Sequence, residues 1–129
     1  MNYFFVILLA GVAIIFLFGI TRAMRMSKKS VALIEKYESD KNNPKLIDEI
    51  FDAISKDFVL GRILNKHSAT KDDIATLHKK LMKWGDFRKY NRYVPITSFF
   101  NAGALEYLLK NKSADAKTLT ENMMNRFHF

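Results

Sequence analysis

Residues 1–29 read MNYFFVILLAGVAIIFLFGITRAMRMSKK, and the contrast between the two ends of that stretch decides the architecture. Met1 to Ile20 carry no charged side chain, and Arg22, Arg25, Lys28 and Lys29 then follow close together. An α-helix needs about 20 mostly apolar residues to cross a bilayer, because each backbone amide there must be bonded within the helix. The stretch therefore reads as a single transmembrane anchor with a basic flank over residues 1–26. Residues 27–129 then form one helical domain on one side of the membrane.

A cleavable leader has a different pattern: a positive start, a shorter apolar run and a small-x-small cleavage site. Here no Lys or Arg precedes Arg22, and Thr21-Arg22-Ala23-Met24-Arg25-Met26 is not such a site. The basic residues Arg22, Arg25, Lys28 and Lys29 lie on the C-terminal side of the run, which predicts a cytoplasmic domain and an outside N-terminus. The same flank faces anionic headgroups. The absence of cysteine excludes a disulfide scaffold and thiolate chemistry, and suits a reducing compartment. Ala10, Gly11, Ala13 and Gly19 are small enough to let another helix approach, although they form no GxxxG.

Beyond the flank, helical periodicity dominates and no alternating strand pattern stands out, so the fold class is all-α. Val31, Ile34 and Tyr37 share a face and are expected to carry the membrane helix onward. Asn43-Pro44 supplies a cap and a first helical residue. Ile47, Ile50, Phe51, Ile54 and Phe58 then repeat at helical spacing. Gly61 leaves open whether Val59–Leu64 extends that helix or starts another.

Thr70-Lys71-Asp72-Asp73 resembles a capping box, ahead of an apolar face of Ile74, Leu77, His78 and Leu81 with a stop at Gly85. Pro95-Ile96-Thr97 opens a helix with Phe100, Ala104, Tyr107 and Leu108 as its stripe, ending at Lys110 and Lys112. Ser113 is the expected cap of a last helix bearing Ala116, Leu119, Met123 and Phe127. Four or five short helices in a small irregular bundle are the predicted domain.

The net charge of +8 is unevenly spread, with an acidic excess over residues 30–60 and a basic one beyond. The densest segment runs from Lys79 to Tyr93, where Lys79, Lys80, Lys83, Arg88, Lys89 and Arg92 alternate with Trp84, Phe87, Tyr90 and Tyr93. Basic residues among aromatics suit either a phosphate backbone or a membrane interface, and no nucleic-acid-binding motif accompanies them. The candidate anionic surface is therefore Lys79, Lys80, Lys83, Trp84, Arg88, Lys89 and Arg92. Met123, Met124, Phe127 and Phe129 make the chain end adaptable and apolar: a candidate docking element for a partner, or the helix that closes the domain's own core.

Catalytic chemistry finds little support. His67, His78 and His128 show no metal-ligand spacing, and His78 lies on an apolar face where packing explains it. Asp48, Glu49 and Asp52 sit opposite Ile47, Ile50 and Ile54, as solvated helix-face acids do. No phosphate-binding glycine loop or nucleophile elbow is present, and no cofactor is expected.

The apolar N-terminus with its arginine-containing flank, His78-Lys79-Lys80-Leu81, Pro95-Ile96-Thr97, Ala104-Leu105 and Asn125-Arg126-Phe127 occur in an order similar to a family of small single-pass inner-membrane proteins of enteric bacteria. The resemblance implies a bacterial inner-membrane location and no particular activity. The expected function is a membrane-tethered, non-enzymatic interaction module, an accessory or assembly subunit for another membrane protein. The alternative is a membrane-apposed binder of anionic lipid or nucleic acid through residues 79–93.

Overall fold

The computed structural model describes residues 3–40, 42–83 and 94–126. They form seven α-helices and one 3₁₀ turn: α1 (Tyr3–Lys36), α2 (Pro44–Lys56), α3 (Phe58–Lys66), α4 (Lys71–Lys83), α5 (Val94–Thr97), the 3₁₀ turn (Ser98–Phe100), α6 (Ala102–Lys110) and α7 (Ala116–Arg126). Among the described residues there is no β-strand. The expected all-α fold, a long apolar N-terminal helix followed by short ones, is what the chain adopts.

α1 is one continuous helix of 34 residues, about 51 Å long at 1.5 Å per residue. Its apolar part, Tyr3–Ile20, measures about 27 Å, close to the ~30 Å hydrocarbon thickness of a bilayer. That part is long and apolar enough to span a membrane, and the chain buries none of its most apolar 18-residue window. The helix then enters the domain without a break. Met26, Leu33, Ile34 and Tyr37 join the common core and Ser30 is buried beside them. The boundary expected after residue 26 thus falls inside a continuous helix. Val31, expected to share a face with Ile34 and Tyr37, parts from them: it is 48 % exposed while they are buried.

α2 begins as its sequence predicts. Asn43 Oδ1 accepts the Lys45 amide at 3.0 Å and Pro44 occupies the first turn. Its buried face is Leu46, Ile50, Ala53 and Ile54, while Ile47 and Phe51 lie half-buried on its shoulder. The predicted stripe is therefore rotated, and Phe58 leaves it altogether. The cause is Asp57, whose extended backbone (φ −77°, ψ 138°) ends α2 and starts α3. Gly61 permits that close join, since a Cβ there would stand 2.7 Å from the Ser55 carbonyl oxygen at the end of α2.

Ser68, in the left-handed region at φ 49°, closes α3, and the Ala69 amide reaches back to the Leu64 carbonyl at 2.9 Å. The capping box then forms reciprocally. Thr70 Oγ accepts the Asp73 amide at 3.2 Å and Asp73 Oδ2 accepts the Thr70 amide at 3.0 Å. Ile74, Leu77, His78 and Leu81 are buried as expected, packed toward α2, α5 and α7. The stop placed at Gly85 lies outside the described residues.

The helix expected from Pro95 onward is broken. α5 passes into the 3₁₀ turn, and Asn101, extended at φ −105° and ψ 123°, restarts the chain by accepting the Ala104 amide on Oδ1 at 3.0 Å. Its apolar stripe survives the break, with Phe100, Ala104 and Leu108 buried and Tyr107 half-buried. The last helix is capped by Asp115, whose Oδ1 accepts the Thr118 amide at 2.7 Å, and not by Ser113.

Candidate functional site

The most constrained polar arrangement lies where α1 meets the α2–α3 turn. α2 runs antiparallel to the second half of α1. Glu49 accepts Lys36 Nζ at 2.8 Å and the Tyr37 hydroxyl at one end, and Asp57 meets Arg22 at the other. Arg22 Nη1 donates to Asp57 Oδ2 at 2.6 Å, with the Asp57 side chain fully buried and that of Arg22 nearly so. The same Oδ2 accepts the amides of Val59 at 3.2 Å and Leu60 at 2.9 Å, the two orphan donors at the start of α3.

Burial pushes the Asp57 carboxyl up, but the Leu60 amide and the Arg22 guanidinium outweigh it and hold the group below the usual aspartate range. One residue therefore terminates α2, caps α3 and ties both to α1. Asp57 Oδ1 is buried and finds no partner among the described residues.

Around this joint, the basic flank divides. Arg22 is committed to Asp57, while Arg25, Lys28 and Lys29 are exposed and have no ion-pair partner among the described residues. They line an open depression on α1 with Thr21, Met24 and Ala32. Three of the four flank charges are thus free to meet anions, at the end of the apolar run.

The other sequence candidates have varied placements. Lys79 is exposed on α4. Lys80 donates to the backbone carbonyls of Lys112 at 2.6 Å and Ala114 at 2.9 Å, so its ammonium closes the α6–α7 loop. The Lys83 side chain and Trp84, Arg88, Lys89 and Arg92 lie outside the described residues. Met123 is fully buried in the core, so of the two readings of this helix its side chain follows the one that closes the domain, since small domains need such side chains inside. The Met124 side chain, Phe127 and Phe129 lie outside the described residues.

The acidic residues disperse. Asp48 pairs with Lys71 at 3.0 Å, Glu49 with Lys36, and Asp52 with Lys56 at 3.0 Å. Glu106 on α6 draws together Lys66 and His67, each at 2.9 Å, with Lys110 at 3.7 Å. Hydrogen bonding from Lys66, then from His67, lowers the Glu106 carboxyl to about 2. His78 is 5 % exposed with its ring centroid 6.4 Å from that of Phe99, and burial lowers it to about 4. Among the described residues no three His, Asp or Glu side chains converge on a metal-sized site.

The Arg22–Asp57 joint escaped the sequence reading. The Asp57 half had a local signal, an acid directly before Phe58-Val59-Leu60. The Arg22 half had none, because its partner lies 35 residues away. Comparison with protein-family models, with curated proteins and with solved structures returns no match.

Proposed function

We propose that this chain is a membrane-tethered, non-enzymatic helical interaction module, acting as an accessory or assembly subunit of a larger membrane complex. In this reading it is a single-pass protein of the bacterial inner membrane, with its N-terminus outside and its helical domain cytoplasmic. One observation carries the proposal: α1 passes without interruption from apolar side chains that stand exposed to side chains around which the core closes. A flexible tether lets a domain swing. A shared helix sets its height and direction, and such preorganisation lowers the ordering cost of meeting a partner in the same membrane.

A cleaved leader is the competing account of the apolar run. Cleavage anywhere after residues 22–26 would separate Arg22 from buried Asp57 and threaten the seat of Met26 in the core, so the packing favours an uncleaved anchor. The orientation rests on the one-sided basic flank, and the inner-membrane location on the resemblance. The non-enzymatic part is supported by the α2 acids Asp48, Glu49 and Asp52, each of which is engaged in an ion pair with a different lysine.

The test is purification of the tagged full chain from native membranes in mild detergent at low and high salt. A stoichiometric membrane protein retained at high salt is the expected result. Recovery of the chain alone at both salt concentrations overturns the subunit reading. Co-purifying nucleic acid or anionic lipid that salt strips away moves the function to residues 79–93.

A further inference from the structure

Phe58 is the one large hydrophobic side chain of α2–α7 that stands exposed among the described residues, at 67 %. A lone exposed ring on an ordinary surface needs no explanation. This ring is distinguished by its position. It is the first residue of α3, adjacent to Asp57, which Arg22 grips at 2.6 Å. Arg22 lies two residues past Ile20, about 3 Å along the helix axis from the end of the apolar run. Because α2 returns toward that run antiparallel to α1, the α2–α3 turn is the corner of the domain drawn down toward it.

One cation stands at the ring itself, and others stand on α1 just beyond the joint. The Arg62 guanidinium lies 5.4 Å from the Phe58 centroid. Met24 is 56 % exposed on α1, beside Arg25, Lys28 and Lys29. Of the acids toward this end of α2, Asp57 is buried and paired with Arg22, and exposed Asp52 is paired with Lys56 at 3.0 Å.

We infer that this corner is a second membrane contact: Phe58 seats in the headgroup layer of the bilayer that α1 crosses, and Arg62, Arg25, Lys28 and Lys29 meet anionic headgroups there. The inference rests on the reading of α1 as a membrane span. Rings with an adjacent cation suit the headgroup layer, where the ring meets the acyl boundary and the cation stays among phosphates. The Arg22–Asp57 pair supplies the geometry, since it holds the start of α3 at the level where the span ends. Two points of attachment then fix the rotation of the domain on the membrane, which a single helix does not.

The chain has one tryptophan, Trp84, so single-tryptophan variants report local depth. The full chain carrying Trp84→Phe is reconstituted in vesicles of phosphatidylcholine with phosphatidylglycerol, with brominated lipids as quenchers. Three probes are compared: Val12→Trp in the span, Phe58→Trp at the corner, and Lys45→Trp near the start of α2, which points away from the membrane. Far-UV circular dichroism checks that each variant folds.

The expected pattern is blue-shifted emission at position 12, quenched most by bromine near the bilayer centre. At position 58 emission is also blue-shifted and is quenched most by bromine near the headgroups, and position 45 loses no emission. Emission at position 58 that matches position 45 while position 12 is quenched overturns the second contact and leaves the span intact. Unquenched emission at position 12 overturns the span, and the corner with it. Adding Arg62→Glu to the Phe58→Trp variant should weaken quenching only when phosphatidylglycerol is present; unchanged quenching there overturns the headgroup role of Arg62.

Discussion

From Tyr3 to Ile20, α1 turns apolar side chains outward all round, and from Arg22 to Lys36 the same unbroken helix buries a single stripe. The backbone is the same in both halves, and the environment each can enter is not. In the first half no face is polar, so no arrangement of the domain could cover it economically, and a bilayer is the solvent that suits it. In the second half, charged residues occupy most of the surface and the buried stripe of Met26, Ser30, Leu33 and Ile34 is narrow enough for α2, α5 and the 3₁₀ turn to close over. With the apolar half in a bilayer, as proposed, two solvents would be joined through one rigid rod. The domain inherits its position from the helix that it helps to bury.

The largest blow to that arrangement should come from Arg22→Ala. It leaves the Asp57 carboxylate buried without its cation, a situation that costs about 3–5 kcal/mol. Thermal unfolding of the full chain in detergent should show a large fall in midpoint, while fractionation still places the protein in the membrane. Adding Asp57→Asn should recover much of the loss, because asparagine caps a helix nearly as well and carries no charge to strand. A small effect of Arg22→Ala would mean that the joint between the two halves lies elsewhere.

Acid should separate the halves next. Residues 4–21 contain no titratable side chain, so insertion should be unchanged between mildly acidic and neutral pH. The domain carries His78, whose folded value near 4 lies below the ordinary 6.5 because burial disfavours its charged form. On acidification the unfolded chain takes up that proton first. Stability should therefore be level above pH 6.5 and decline as the pH falls toward 4, by about 3 kcal/mol in all. Asp57 works in the same direction lower down: its depressed carboxyl stabilises the fold above its unfolded value near 4, and that contribution fades as the pH drops below it. Denaturant unfolding at stepped pH measures both, and His78→Leu should flatten the upper window alone.

What was legible in the sequence follows the range of each interaction. The Asn43 cap, the Thr70–Asp73 capping box and the Ile74–Leu81 face all act within a helix turn or two, and each reads directly from residue spacing. The stripe on α2 was read one position out of place, because three neighbouring helices decide which arc is covered and Asp57 removes Phe58 from it. Ser68 takes a left-handed position that glycine usually advertises, so the end of α3 had no visible marker. Asn101 and Asp115 each outcompeted the expected continuation or cap by accepting an amide three residues on. The Arg22–Asp57 pair spans 35 residues, and only the folded chain brings it together. Of the candidate surfaces, the α1 flank was legible as charge but not as one paired and three free cations.

The smallest expected effect tests whether the second half of α1 has an outer face at all. Val31 is 48 % exposed and Ile34, three residues on, is 7 % exposed in the core. Ile34→Ala removes buried volume and should cost about 2–5 kcal/mol. Val31→Gln touches nothing that the domain needs and should change stability by no more than about 0.5 kcal/mol in detergent. The informative case is a disparity between environments. If Val31→Gln is silent for the purified chain but lowers its abundance in native membranes, the outer face of α1 is covered there by something other than this domain. The first half of the helix would then meet lipid, and the second would bury both of its faces, one in its own core and one in a partner.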